Sequence, residues 1–528
     1  MRTPLIAAPL AALLLSGAFP PLEWGWLAWV ALAPLFYLLK WGRASAAAWA
    51  VGGWVFGAVF YAGQYAWLPR TLVELGGMGL AAFTLFSLLW LFFLALFPAA
   101  GLGVARWVWH RWGISPYLFL PLFFPLHDAL FGVFPFGGVP WGSPASTQTA
   151  TAAAALLAPL AGGSAVVWAI AAVNAGWAWA AEGFGKAGWR GWARGVGMAV
   201  GTLALSAGWS GPWGAGPGEP GFSALLVTGD LPVGDSQGAA KGAKLRYYLA
   251  RSLANLEEAG GSGERSDRLV VWPEAALGGE LQSGRLPGEI SAVAGLMGAD
   301  FLLGSDTREG GRGYNSAYLV TSGRAANGRY DKRLLVPFGE YVPKGFRWLF
   351  GKKVTWGEED YRAGTAPPVL PWKSHRLGVA ICFESLVPGH LRRAVLGGAG
   401  VMLVLANDQW LTAPARMQHL RLSALRGLAV GREVLFVANG GWSAHLRGGR
   451  ARAMARWDDP PIWVRPQLRA DLTPWVRWGY APLGALLAGW CLLGLPGAGK
   501  GGSRLPPPAP PPARRKKKAA LPGAEILS

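Results

Sequence analysis

Cysteine is nearly absent from this sequence: Cys382 and Cys491 are the only two in 528 residues. Two thiols give no disulfide framework to read. Histidine is scarce as well, six residues with no metal-ligand spacing, so no metal centre is expected. The stretch GLPGAGKG at 494–501 mimics a phosphate-binding loop. It carries Gly501 where Ser or Thr is required, and an apolar run precedes it rather than a sheet strand. No cofactor is therefore expected. Charge is thin too: charged residues make up 15% of the chain, low for a soluble protein. The net charge of +20 does not point to nucleic acid, because no aromatic-basic RNA motif appears. Residues 221–472 hold 32 basic against 23 acidic side chains, and much of the remaining excess falls in short loops and a basic tail.

What the sequence does have is apolar surface. Hydrophobic residues reach 52%, with 30 tryptophans and 77 glycines, residue types that suit membrane segments and their interfaces. Apolar runs occupy about 4–19, 25–39, 45–67, 77–105, 115–133, 155–181 and 195–210, and a last one lies at 478–497. Since a crossing helix needs about 20 apolar residues, these predict eight spans. Lys40 and Arg43, then Arg106 and Arg111, then Lys186, Arg190 and Arg194 mark alternate loops. By the positive-inside rule those loops and the amino terminus are cytoplasmic. Seven crossings then place residues 221–472 outside, and the eighth returns the chain to the basic, proline-rich tail 500–528, expected to be disordered. The first run also has the form of a cleavable signal peptide; with six further runs following directly, a retained span is expected. His127 and Asp128 fall within the fifth run, where ionisable groups are costly, and no proton path is assigned to them.

The expected domains are thus 1–210, seven spans; 221–472, a folded domain; 478–497, the final span; and the tail. The 221–472 domain reads as α/β. Short apolar runs recur at 222–229, 268–273, 300–304, 315–320, 377–382, 401–407 and 434–439, several apolar throughout, as for strands covered on both faces. Helical patterns lie at 243–259 and 415–431. His419, on the second of these, reads as a structural residue.

Active groups in such folds sit where strands end. The 268–273 run leads to Glu274, the segment YDKRLLVPFGEYVP carries Lys332 and Glu340, and the 377–382 run delivers Cys382, followed by Phe383 and Glu384. A thiol is only a few per cent thiolate at neutral pH and needs a base, which Glu274 can supply. Attack on a carbonyl creates an oxyanion, which Lys332 and the backbone N–H after Cys382 can stabilise. One free cysteine in the outer domain, with the other in a span, leaves no easy disulfide to block such a nucleophile.

This Glu–Lys–Cys order at strand ends resembles the nitrilase superfamily. With the spans included, the chain is similar to its membrane-embedded branch, the apolipoprotein N-acyltransferases. The resembling pieces are VVWPEAAL, YNSAYLV, YDKRLLVPFGEYVP, GVAICFES, NDQW, VANGG, PFGGVPWGSPASTQ and LTPWVRWGYAPL. The resemblance implies a four-layer α-β-β-α catalytic domain, periplasmic, held by spans in a bacterial inner membrane. It implies Cys382 as nucleophile, Glu274 as base and Lys332 as oxyanion stabiliser, with Glu340 and Glu384 orienting Lys332 and the thiol. It implies a phospholipid acyl donor, typically phosphatidylethanolamine, a diacylglyceryl-lipoprotein acceptor, and a monomer. Departures are Phe383 in place of the usual tyrosine, Ala429 in place of a frequent glutamate, and TGDLP after the first strand. An amidohydrolase using the same triad with water as acceptor is the alternative. A transporter with a silent outer domain would need polar pathways across several spans, and the sequence offers almost none.

Overall fold

The amino-terminal half folds as packed apolar helices because its long apolar runs can satisfy their backbone groups only internally once they are away from water. The computed structural model describes residues 2–183, 218–232, 239–255, 267–280, 286–322, 324–347 and 359–494, with isolated positions between 189 and 197. Nearly all of the seventh run, the basic residues Lys186, Arg190 and Arg194, and the tail lie outside these. The helices are α1 (Arg2–Ser16), α2 (Ala33–Trp41), α3 (Ala46–Gln64), α4 (Leu80–Trp112), α5 (Pro116–Phe131), α6 (Ala152–Ala161) and α7 (Gly163–Glu182). Of the described helices, α3, α4 and α7 are long and apolar enough to cross a membrane.

Two of the expected runs are not single continuous helices. The run at 25–39 forms a 3-10 turn, Gly25–Trp29, and then only the nine residues of α2. The run at 155–181 is broken at Gly162, which has a φ of +81° and separates α6 from α7. A side chain there would also meet the Trp475 ring, 3.1 Å from a Cβ position, so apolar continuity conceals a turn that only glycine accommodates.

The two ends of the bundle differ in kind. At one, Lys40 pairs with Glu182 at 2.8 Å, and the Arg106 guanidinium donates to the carbonyls of Leu39, Lys40, Gly42 and Ala44. At the other, Glu23 pairs with Arg421 at 2.9 Å, Gln418 donates to Gln64 at 2.7 Å, and the Thr71 hydroxyl donates to the Trp410 carbonyl at 2.6 Å. The α/β domain is thus fastened to the end opposite the basic one. Asp128 accepts from Ser143 and Ser164, tying three segments of the bundle together.

The carboxy-terminal half is built on two sheets. One runs β14 (Ile462–Val464), β2 (Ser223–Leu226), β3 (Arg268–Val271), β5 (Asp300–Glu309), β6 (Arg312–Thr321), β7 (Arg324–Asp331), with β4 (Leu277–Glu280) on β5. The other runs β13 (Arg450–Arg456), β12 (Trp442–Arg447), β11 (Val434–Asn439), β10 (Val401–Asn407), β9 (His375–Ile381), β8 (Val369–Trp372). A short pair, β1 (Glu219–Pro220) with β15 (Gln467–Leu468), stands apart. The central strands β2-β3-β5 and β9-β10-β11 are parallel, which explains their continuous apolar sequences.

Alternation assigns the layers. Leu269, Val271 and Leu302 face Val401, Leu403 and Leu405 in a core between the sheets. Val270 and Phe301 turn instead toward Tyr248 of α8 (Ala239–Ala254) and Ile290 of α9 (Leu286–Met297). Met402, Val404 and Phe436 turn toward α10 (Pro388–Leu396) and α11 (Ala413–Val430). The order is therefore α-β-β-α, and the same apolar cluster continues from α11 into the bundle helices. The chain closes with α12 (Pro474–Trp478) and α13 (Ala481–Gly494), the latter bearing the exposed Cys491.

Candidate active site

Strand ends bring three segments together. After β3 the chain passes Trp272 and Pro273 to Glu274, and Ala275 takes a φ of +52°. Glycine at 304 allows this approach: a Cβ there would lie 2.6 Å from the Glu274 Cα and the Pro273 carbonyl. After β7 comes Lys332, with a side chain 1% exposed. After β9 comes Cys382, at a φ of +51°, opening a 3-10 turn over Cys382–Leu386. Left-handed backbone at a residue with a Cβ is strained, and such strain collects at functional sites.

The Lys332 ammonium lies 3.2 Å from Glu274 Oε1 and 2.9 Å from Glu340 Oε1. The Asn315 amide on β6 donates to the same two carboxylate oxygens, at 2.6 and 2.9 Å, so Asn315 and Lys332 hold the pair of acids from two directions. The second Glu340 oxygen accepts from the Val336 N–H at 2.8 Å. Burial alone would lower the lysine's pKa, but Glu274 and Glu340 outweigh it and raise it well above the ordinary value. The Cys382 thiol is also pushed up, by its enclosure and by Glu274, with Lys332 opposing. The resting site therefore holds a neutral thiol beside a fixed cation.

Glu384 is fully buried and bonds mainly to backbone. Its Oε1 accepts from Tyr330 Oη and the N–H groups of Arg333 and Leu334, at 2.8, 2.7 and 3.1 Å. Its Oε2 accepts from the Ile381 N–H at 2.9 Å. It thus joins the backbone bearing Lys332 to the backbone bearing Cys382, and its hydrogen bonds do not involve the thiol. Phe383 borders the cavity in front of Cys382 and lies in the first turn of the 3-10 helix that Cys382 opens.

Two residues that sequence reasoning quoted only within segments, and one that it read as structural, belong here. Asn315 stood inside YNSAYLV and Asp408 inside NDQW, both quoted as segments rather than as groups. His419 lies on α11, its Nδ1 2.7 Å from Asp408 Oδ1 and its Nε2 2.9 Å from Ser385 Oγ and 3.3 Å from the Cys382 carbonyl oxygen. The strand-end position of Asp408 was the available signal for it. Cys382, Asp408 and His419 offer ligand atoms within 4.8 Å of one another, close enough for a metal ion. Both imidazole nitrogens already have protein partners, so a metal would have to break one of these bonds.

A cavity of about 290 Å³ joins the three segments to the helical half. Glu274, Lys332 and Cys382 line one part of it, and Tyr65, Trp67, Leu72, Phe86, Trp90 and Trp141 line the other. Glu274, Lys332 and Cys382 therefore open onto an apolar, largely aromatic space to which the helical half contributes much of the wall.

Two parallel-centred sheets between helical layers, with glutamate, lysine and cysteine at neighbouring strand ends, define a carbon-nitrogen hydrolase domain. Residues 237–448 match the carbon-nitrogen hydrolase family, and residues 11–176 match the apolipoprotein N-acyltransferase N-terminal domain. An apolipoprotein N-acyltransferase of Ralstonia nicotianae is 32% identical over 91% of both chains. Another, of Methylococcus capsulatus, is 28% identical over 92% of this chain and 94% of its own. Among solved structures, an amidase from Nesterenkonia sp. AN1 aligns with 50% of this chain and 98% of its own, at 16% identity and a TM-score of 0.35. The chain belongs to the apolipoprotein N-acyltransferase family, and is an acyltransferase of the nitrilase superfamily.

Proposed function

We propose that this protein moves an acyl chain from a membrane phospholipid, through a thioester on Cys382, to the α-amino group of the N-terminal diacylglyceryl-cysteine of lipoproteins. The observation that carries this reading is the shared cavity, since a water-using amidohydrolase has no need of a reaction chamber walled by membrane-domain aromatics. Glu274 takes the thiol proton as sulfur attacks the ester carbonyl. Lys332 and the Phe383 N–H meet the negative charge that develops on the carbonyl oxygen. The C–O bond breaks, and the Glu274 proton goes to the leaving lysophospholipid alkoxide. The lipoprotein amine then attacks the thioester, giving its proton to Glu274, and the amide forms as the thiol is restored. The acyl-enzyme must wait for the amine, which favours a site where apolar walls keep water out. Glu340 holds Lys332, and Glu384 sets the distance between the segments bearing Lys332 and Cys382.

The same reading takes the chain to cross a bacterial inner membrane eight times, with residues 221–472 periplasmic, phosphatidylethanolamine as donor and a monomeric enzyme. Two features support the orientation: the basic loop ends meet at the bundle end opposite the α/β domain, and the acceptor exists only after export. Incubation with phospholipid labelled in its acyl chains should leave hydroxylamine-sensitive label on the protein. Mass spectrometry of a lipoprotein N-terminus should show one added acyl chain. Label that persists in Cys382→Ala protein overturns the assignment, whereas Cys491→Ala should be fully labelled.

A further inference from the structure

Behind the nucleophile lies a polar network that the reaction as written does not use. Asp408, Ser385, His419 and Ser423 are each at most 1% exposed. The Ser385 hydroxyl donates to the Cys382 carbonyl at 2.8 Å and accepts from Ser423 Oγ at 2.9 Å. With its single proton committed to that carbonyl, Ser385 meets His419 Nε2 as an acceptor, and so does the Cys382 carbonyl oxygen 3.3 Å from the same nitrogen. Nδ1 faces the Asp408 carboxylate, also an acceptor. The ring is thus held at both nitrogens, by Asp408 on one side and by Ser385 and the backbone of the nucleophile on the other.

Peptide planarity turns this anchor into a device. In a trans peptide the carbonyl and the following N–H point in opposite directions. Holding the Cys382 carbonyl toward Ser385 and His419 therefore turns the Phe383 N–H away from those two side chains, and Phe383 itself borders the cavity. We propose that His419, backed by Asp408 and acting with Ser385, is a positioning residue that fixes the Cys382–Phe383 peptide and so aims the Phe383 N–H at the oxyanion. It also explains how Cys382 keeps its positive φ: the neighbouring peptide is tied down by buried Ser385 of its own turn and by His419 of a different helix. The inference rests on Cys382 being the acylated nucleophile.

The test separates two reactions at one sulfur. Acylation by phospholipid passes through an oxyanion, whereas alkylation by iodoacetamide displaces iodide and forms none. Ser385→Ala and His419→Leu should each slow acyl-enzyme formation by about 10–100-fold, since misplacing a reacting group by about 1 Å costs on the order of 10²-fold. Ser385→Ala should leave the iodoacetamide rate and the KM for phospholipid within about twofold of the parent. His419→Gln, which restores an N–H donor near the Nε2 position, should recover part of the loss. Ser385→Ala decides the matter if His419→Leu does not fold. Unchanged acylation in Ser385→Ala protein, or equal slowing of acylation and alkylation, overturns the proposal. If the parent itself acquires no label at Cys382, the underlying assignment of the nucleophile has failed instead.

Discussion

Replacing Glu384 distinguishes a residue that acts on the thiol from one that sets the frame around it. Its carboxylate accepts four hydrogen bonds, from Tyr330 Oη and the N–H groups of Arg333, Leu334 and Ile381. Glutamine brings one oxygen and one NH2 group. If the amide oxygen takes the place of Oε1, its NH2 confronts the Ile381 N–H, leaving one buried donor unpaired at about 1–3 kcal/mol. The other three bonds lose their charge assistance, so a net loss of about 3 kcal/mol is expected. Alanine orphans all four donors and should cost about 5 kcal/mol or more. For a domain of this size 1 kcal/mol corresponds to roughly 2–4 °C, which puts the Glu384→Gln melting shift at about 6–12 °C. Tryptophan fluorescence of detergent-solubilised protein during heating would read it. Below the transition, acyl-enzyme formation in Glu384→Gln protein should stay within about threefold of the parent. Parent-like melting together with a hundredfold loss of acylation would refute this reasoning and place Glu384 in the chemistry of the thiol.

Lys332→Arg should lower turnover by about 10²–10³-fold, because a wide planar guanidinium cannot occupy the point between Glu274 and Glu340; near-normal kcat would contradict the role. The Cys382 thiol is held above its ordinary range, so its alkylation rate should climb about tenfold per pH unit from pH 6 to 9; a plateau below pH 8 would indicate a thiolate at rest. The Lys332 pKa is raised, so its contribution to stability is complete below the unfolded value of about 10.4 and fades only as pH rises through the folded value. The parent protein should therefore show no loss of stability attributable to Lys332 deprotonation between pH 6 and 9, as denaturant midpoints would show. A protease site placed in the exposed β5–β6 turn at Gly310 and Gly311 should be cut in intact spheroplasts. Cleavage only after lysis would put the domain in the cytoplasm and end the acyltransferase topology.

Legibility in the sequence followed burial. VMLVLAN and VLFVAN coincide with β10 and β11, because strands covered on both faces must be apolar throughout. The strand ends then gave Glu274, Lys332 and Cys382. β7 and β13, RAANGRYD and RARAMAR, went unseen: both are edge strands, where polar residues blunt unpaired backbone and erase the apolar signal. The break at Gly162 was hidden because glycine reads as permissible within an apolar run until its φ is known. The contacts of His419, a residue read as structural, were hidden for a further reason. Its partners come from β9's end and β10's end, and helical periodicity carries no information about what a buried face will meet.

Much of the aromatic wall of the cavity, Trp67, Phe86, Trp90 and Trp141, belongs to one half of the chain and Cys382 to the other, and this constrains how such a protein can change. A catalytic domain exchanged between relatives would carry its glutamate, lysine and cysteine intact, yet inherit a chamber shaped by a foreign Trp67, Phe86, Trp90 and Trp141. Substitutions in those helices should then alter which acyl chains are accepted without touching a reacting atom. Selection for a new lipid composition would act first on the membrane half, and the two halves are therefore bound to drift together.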